Sequence, residues 1–286
     1  MILITGGTGY VGKELLKSLN ADDVKILARK GSLIPKNYEA VYGDLMDKDS
    51  LVKAVDKVDC VVHLAAVTHA RNMSEFYKIN VEGTKNLVEA CKNSKVKRFI
   101  FISSMAVCRK YLDDYGKSKR DAEEIIKNSG LSYVILRPTM IYGGDSEVIK
   151  RFISYVKKIP FIIPMIGKGS GKIQPVHVND VANVIAGAID NEKALGKIYS
   201  LLGGTRISLS YFLDFLSSRL GINKIKVSIP ESIVLFAVDF ITFFNKNFPL
   251  KRDFIKSFNY DIEGDNREAE NDFQIRFKKL SQGFSL

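Results

Sequence analysis

Few folds accept the way this chain begins. A short apolar run, residues 1–4, leads into Thr5-Gly6-Gly7-Thr8-Gly9-Tyr10-Val11-Gly12, and a helical pattern follows over residues 13–19. Glycines at this spacing divide three tasks between Gly6, Gly9 and Gly12. One permits a tight turn, one lets the backbone approach a diphosphate, and one lets the helix lie close to the strand. The helix N-terminus then offers unpaired N–H groups and a partial positive charge to the phosphates. An idle glycine-rich turn needs neither the strand before it nor the helix after it. This turn has both, so it reads as a dinucleotide site.

The rest of the chain continues in the same grammar. Strand-like runs fall at residues 24–28, 40–42, 60–64, 98–102 and 133–136, with helical patterns at 50–56, 75–93 and 115–128 between them. This alternation predicts an α/β fold, a doubly wound parallel sheet of Rossmann type with helices on both faces. Ligands on such sheets bind beyond the carboxyl ends of the strands. After Gly143-Gly144 the pattern loosens. Helices are expected at 147–157, 179–190, 209–220 and 233–244, and strands at 173–177 and 197–202; the polar stretch 261–276 is hard to read. The expected division is a dinucleotide-binding domain over 1–145, with 173–202 returning to it. A smaller, mostly helical substrate-binding part takes 146–172 and 203–286.

Composition narrows the partners. The 286 residues are 46% apolar and 26% charged, as in ordinary globular proteins, and carry a net charge of +11. That balance favours anionic partners such as nucleotides, acidic surfaces or lipid headgroups. With no arginine-rich run and no nucleic-acid motif, the lysines read as a solvated surface and nucleic acid is not an expected partner. Cys60, Cys91 and Cys108 are odd in number and never paired as CxxC. This argues against a disulfide framework or a metal site, and fits a reducing, cytoplasmic setting. The first strand starts at Met1, which leaves no room for a signal or transit peptide. The most apolar stretch, 229–248, is interrupted by Glu231, Asp239 and Lys246, which excludes a convincing membrane span. An amphipathic helix covering a core is the preferred reading there, ahead of one touching a membrane surface.

Two clusters carry chemistry. Arg29 and Lys30 close the second strand, where an NAD-preferring site places an acid for the ribose 2′-hydroxyl. A basic pair suits a 2′-phosphate, which arginine grips with a two-pronged, charge-assisted contact, so NADP(H) is favoured over NAD(H). The competing reading leaves Arg29 a plain surface charge. Further on, Tyr115-Gly116-Lys117-Ser118-Lys119 puts Tyr115 and Lys119 on one helix face. A phenol is a poor acid–base group at neutral pH, and a neighbouring ammonium is expected to lower its pKa and help it exchange a proton. The preceding strand ends in Ser103-Ser104, and Ser104 is placed to hold the same reacting oxygen.

The order of motifs resembles a known family. TGGTGYVG, Gly43-Asp44, VVHLAA over 61–66, Asn80-Val81-Glu82-Gly83-Thr84, FISS, YGKSK and RPTMIYG over 137–143 follow one another. This is similar to the extended short-chain dehydrogenases/reductases, and within them to the NAD(P)-dependent epimerase/dehydratase group acting on nucleotide sugars. The resemblance covers about residues 1–190 and continues more loosely beyond. It implies that Gly6, Gly9 and Gly12 hold the pyrophosphate with Tyr10 and Val11 beside it, and that Arg29 reads the adenosine ribose. Asp44 and Leu45 would border the adenine, Leu64, Ala65 and Ala66 would line the cofactor, and Asn80 would be a structural or cofactor-side polar group. Tyr115 would be the catalytic acid/base. Lys119 would bind the nicotinamide ribose and tune Tyr115, and Ser104 would hydrogen-bond the reacting oxygen. Arg137, Pro138 and Thr139 would lie beside the nicotinamide.

The chain departs from the family pattern in three places. Cys108 stands where relatives carry tyrosine. Ser104 and Tyr115 are only 11 positions apart, a shorter loop than in most nucleotide-sugar enzymes. The Asp-Glu pair of dehydratases is replaced by Met105-Ala106, which removes the usual acid and base for eliminating water. A 4,6-dehydratase is therefore disfavoured. The expectation is hydride transfer at a carbinol or ketone carbon of a small molecule, foremost a nucleotide sugar, by a 4-epimerase or 4-keto reductase. Two alternatives stay open: an NADPH-dependent reductase of a non-sugar carbonyl, and a non-catalytic NADPH-binding accessory subunit similar to that of respiratory complex I. By analogy with the family, helices 75–93 and 115–128 would pair into a homodimer. His63 reads as packed, His69 as solvent-facing, His177 as a helix junction, and Lys168 and Lys172 as exposed loop lysines.

Overall fold

The computed structural model describes residues 1–70, 72–244, 261 and 263–284. The opening apolar run is strand β1 (Ile2–Thr5), and the glycine turn passes into helix α1 (Tyr10–Leu16). There follow β2 (Val24–Ala28), β3 (Glu39–Tyr42), α2 (Lys48–Ala54) and β4 (Cys60–His63). The next helical stretch is α3 (Met73–Phe76), a π-helical turn (Tyr77–Glu82) and α4 (Gly83–Asn93). Then come β5 (Arg98–Ile102), α5 (Asp114–Lys127) and β6 (Tyr133–Pro138). After them lie β7 (Ile141–Tyr142), α6 (Glu147–Lys158), β8 (Ile162–Ile166), β9 (Lys172–Ile173), β10 (Val176–His177), α7 (Val178–Asp190) and β11 (Lys197–Leu201). The described helices and strands up to residue 244 close with β12 (Ile207–Ser208), α8 (Leu209–Arg219), β13 (Ile225–Ile229) and α9 (Glu231–Phe244).

Seven strands form one parallel sheet in the order β11-β6-β5-β4-β1-β2-β3. The order reverses beside β1, so the glycine turn lies at the switch point where such sheets hold ligands. The central strands are apolar at most positions because both faces are covered. Ile4, Val62, Ile100 and Val134 point into one core with Leu15 of α1 and Val181 and Ile185 of α7. Leu3, Val61, Phe99 and Ile135 point into the other, with Leu51, Leu87 and Ile126 from α2, α4 and α5. The predicted α/β doubly wound fold is the fold observed.

The structure departs from expectation mainly outside this sheet. The single strand expected at 173–177 is two separate pairings, β9 antiparallel to β12 and β10 parallel to β7. Pro175 separates them: it has no N–H to give, and the chain changes partner there. A parallel pair, β8 with β13, was not foreseen. Its Pro164 is tolerated because the sheet has only two strands, both of them edges. Most of the stretch 261–276, hard to read in sequence, lies in segment 263–284, which belongs to the core. Asn266 accepts from the Leu202 N–H at 2.8 Å and donates back to its carbonyl, and Asp272 accepts from Tyr199 Oη and Lys197 Nζ, both at 2.6 Å. Ala269 and Phe277 join the α7 side of the sheet, while Leu280 and Phe284 close a third cluster around Tyr142 and Phe212.

The apolar stretch expected to cover a core does not bury itself. Of α9, only Val238 is buried, and four phenylalanines face outward. Residues 245–248 of that stretch lie outside the described residues. No helix among the described residues is long and apolar enough to cross a membrane.

Candidate active site

The glycine turn is built against the end of β4. Gly6 has φ +72°, and a Cβ there would lie 2.7 Å from the Ala65 amide nitrogen, so the turn admits no side chain. A Cβ on Gly12 would lie 2.4 Å from Gly6 O, which is why α1 can start so close to β1. Gly9 is different. It is the N-cap of α1, carries no side-chain cap, and a Cβ there would meet only Gly6 O at 3.1 Å. With no acid in the first turn of α1, the open N–H groups suit an anionic group. Val11 is half-buried beside them. The Tyr10 phenol donates to Gly143 O, which ties this turn to the chain just beyond β7.

A buried relay fixes the neighbouring strand ends. Thr84 Oγ1 donates to Asn80 O at 2.6 Å, so toward His63 Nε2, 3.0 Å away, it accepts. His63 Nδ1 is then the acceptor for Thr5 Oγ1 at 2.6 Å, and Thr5 Oγ1 accepts from the Ala65 N–H at 3.2 Å. Burial, and secondarily the charge of Lys119, lowers the His63 pKa to about 3, so the ring stays neutral. Leu64, Ala65 and Ala66 leave β4 from this point, half-buried along the glycine turn. Asn80 lies in the π-helical turn with its amide saturated. It accepts from the Val67 N–H at 2.8 Å and donates to Val67 O and Ser118 Oγ. Asn80 therefore clamps the loop after β4 onto α5. Asp44 Oδ1 accepts from the Met46 N–H, and the Leu45 side chain is buried in the α2 side of the sheet. Arg29, by contrast, is exposed after β2 and makes no ion pair or side-chain hydrogen bond with another described residue.

At the ends of β5 and β6 three expected residues converge. Ser104 caps the short helical turn Met105–Cys108, accepting from the Ala106 N–H at 3.1 Å, and its hydroxyl lies close enough to the Tyr115 phenol to favour the phenolate. The Phe76 ring centroid lies 6.1 Å from that of Tyr115. One turn on, Lys119 is buried, donates to Ile102 O at 2.6 Å and lies 4.0 Å above the Phe101 ring. The spacing led one to expect a Tyr115 pKa lowered by this ammonium. Instead, burial pushes the phenol up to about 12, offset in part by Ser104, while burial pulls Lys119 down to about 7. Lys119 faces the strand carbonyl, and the carboxylate that supports its charge is Glu123.

Glu123 escaped the sequence reading, although it continues the Tyr115–Lys119 spacing by one more turn. It is 1% exposed and grips Arg137 through two contacts, one of them Nε to Oε1 at 2.9 Å. Arg137 also donates to Cys108 Sγ at 3.5 Å, so its guanidinium is spent on α5 and Cys108. Pro138 is buried at the end of β6, and Thr139 donates to Gln174 O at 2.5 Å and, through its N–H, to Leu201 O. Ser103 remains. Its Oγ is buried beside Ser104 and is the orphaned side-chain polar atom among the described residues. A hydroxyl left unpaired at the carboxyl edge of the sheet is costly unless a bound polar group satisfies it. The open Gly9 face and this hydroxyl both fit a dinucleotide lying across the edge. Of the histidines, His69 contacts Thr68, and His177 caps α7 by accepting from the Asn179 N–H.

A sequence model described as the NAD dependent epimerase/dehydratase family matches residues 2–201. The ceramide reductase of Caulobacter vibrioides is 30% identical over 189 residues, covering 64% of this chain and 58% of that protein. The UDP-glucose 4-epimerase of Vibrio cholerae is 30% identical over 239 residues, 72% of each. The chain thus spans under two thirds of the first relative's length. The dTDP-glucose 4,6-dehydratase DesIV from Streptomyces venezuelae, solved with NAD and TYD bound, superposes with a TM-score of 0.77. The superposition covers 99% of this chain and 94% of that one at 21% identity, a likeness of fold.

Proposed function

This chain belongs to the NAD dependent epimerase/dehydratase family, a family of NAD(P)-dependent enzymes, and from that footing we propose an NADP(H)-dependent oxidoreductase or epimerase acting at a carbinol or ketone carbon of a nucleotide sugar. The observation that carries the reading is the convergence of Ser104 and the Tyr115 phenol, one helical turn from buried Lys119 and at the same carboxyl edge of the sheet as the open glycine turn. A protein that only stores a dinucleotide has no chemical need for that trio. The preference for the 2′-phosphorylated cofactor rests on exposed Arg29 and its neighbour Lys30. In the division we propose, residues 1–145 with 173–202 serve the cofactor and 146–172 with 203–286 the substrate. A homodimer through α4 and α5, in the cytoplasm, belongs to the same proposal.

Bound nicotinamide supplies the hydride donor or acceptor. Ser104 orients the substrate oxygen through its remaining hydroxyl capacity. Tyr115, held protonated with a pKa near 12, gives its proton to a developing alkoxide. This state favours the reducing direction, because taking a proton from an alcohol first requires an ionised phenol. Lys119 holds positive charge beneath the site when protonated, and Glu123 opposes its loss.

A second reading, net reduction of a non-sugar carbonyl, is supported by the brief passage from Ser104 to Tyr115 and by Cys108, which together leave less wall for a sugar. The test is to identify any nucleotide released from the purified protein by heat, then titrate NADPH and NADH against the emptied protein. Retained cofactor near one per chain supports an epimerase that recycles it. An empty site preferring NADPH, with the preference cut roughly tenfold to a hundredfold in Arg29→Ala, supports a reductase. Binding of neither nucleotide overturns the proposal.

A further inference from the structure

The most anomalous surface lies outside the candidate site. Helix α9 is apolar on two sides. Val238 is buried and Val234 and Leu235 are half-buried, which accounts for its inner side. Ile233, Phe236, Phe240, Phe243 and Phe244 recur at three- and four-residue steps on the outer side, exposed by 57%, 73%, 58%, 80% and 73%. Rings Phe240–Phe244 and Phe243–Phe244 gather with centroids 5.1 Å apart. An outward aromatic stripe of this length marks an interaction site rather than an ordinary surface.

The elements that lead into α9 carry a second apolar prominence with cations beside it. Phe161, ahead of β8, is 82% exposed and held at φ +64°, a strained setting for an aromatic residue. Its carbonyl accepts from the N–H of Ile225, itself 73% exposed. Lys157 and Lys158 are exposed just before this tip and form no ion pair with a described residue. Lys224 is committed inward, donating to Val156 O and Ile159 O. The acids of α9, Glu231 and Asp239, are both engaged by neighbours.

We propose that the outer face of α9, with the tip at Ile159 and Phe161 and the cations Lys157 and Lys158, docks this protein onto an anionic lipid bilayer, α9 lying flat rather than crossing. Charge decides the occupant. A second copy on this face would set the exposed Lys157 and Lys158 of one tip near those of the other, whereas anionic headgroups attract them. By sequence, residues 245–260 add Lys246, Lys251, Arg252 and Lys256 against Asp253 alone. Aromatic side chains backed by lysines are the chemistry of helices that settle at the headgroup boundary. The chain that follows the surface returns to the neighbourhood of the site. Beyond α9 the described chain resumes at Asp261, which accepts from the Lys172 N–H, and at Gly264 it passes against Met105, next to Ser104. This proposal stands apart from the choice of substrate, and it would bring membrane-held substrates within reach.

The experiment is cosedimentation of the purified chain with vesicles of phosphatidylcholine alone and of phosphatidylcholine with one third phosphatidylglycerol. The wild type is expected to pellet with the anionic vesicles and to be released in part by salt. Phe236→Ser/Phe240→Ser should weaken partitioning roughly a hundredfold, and Lys157→Ala/Lys158→Ala roughly thirtyfold at low salt. Both variants should keep the wild-type unfolding temperature, which separates lost docking from lost folding. Wild-type protein that stays in the supernatant overturns the proposal. So does a two-chain mass in solution that the phenylalanine variant reduces to one chain without any change in vesicle binding.

Discussion

Helices α5 and α9 are each 14 residues long and invert one another. Helix α5 is written largely in polar residues, yet it buries Ser118, Lys119 and Glu123. Helix α9 is written largely in apolar residues, yet it exposes four phenylalanines. Ordinary partition of side chains between core and water produces neither. Burying charge costs stability and is kept where the charge has work at a reacting centre. Exposing aromatic rings invites association and is kept where a partner removes them from water. The two departures mark two different jobs, one chemical and one of attachment.

The comparison can be broken at its chemical end first. Tyr115→Phe should lower turnover about a thousandfold while cofactor titration stays unchanged, because the ring remains and only the proton is lost. Unchanged turnover would remove α5 from the chemistry. Glu123→Ala should cost about 3–5 kcal/mol in denaturant unfolding, because Arg137 loses both contacts to a buried carboxylate. Lys119→Met should act oppositely on the cofactor-free protein, abolishing activity while raising stability by about 1–2 kcal/mol. The sign follows from the depressed lysine pKa. Below about pH 7 both the folded and unfolded chains carry the charge and the folded one suffers the full penalty. Between that pH and the ordinary lysine value the folded chain sheds its proton first, so wild-type stability rises with pH. The advantage of Lys119→Met should therefore shrink across that window, as thermal unfolding at a series of pH values would reveal. At the other helix, Phe240→Ser should change stability by no more than about 0.5 kcal/mol, since its ring already stands in water. A larger loss would mean that α9 is structural after all.

How legible each region was in the sequence follows from the range of the forces involved. The glycine turn, the alternation of strands and helices, and the Tyr115–Lys119 spacing are local patterns, and each appears as written. Glu123 was not singled out in the sequence, because its partner Arg137 comes from a strand beyond the helix. Asn80 was recognised as a polar group of undecided role, and its clamp on Val67 depends on a π-helical turn that no residue in it announces. The direction of the Tyr115 pKa went against expectation for a similar reason. Spacing placed the ammonium on the right face but not its preference for Ile102 O, nor the depth of burial around the phenol. Helix α9 misled because apolar residues lie on two of its sides, interrupted by Glu231 and Asp239. Periodicity cannot choose an inner face when more than one face qualifies.

The clamp of segment 263–284 onto β11 and α7 has a consequence for how the protein is made. Ala269 and Phe277 occupy the same core as Ile4 and Val24, about 250 positions earlier. At a ribosome's pace the first strands wait roughly fifteen seconds to a minute for those partners to emerge. Throughout that interval one face of the sheet is unfinished and its apolar side chains are open to the cell. For this chain, completing the α7 side of the sheet therefore waits until segment 263–284 has been made, and chaperones have their longest opportunity there.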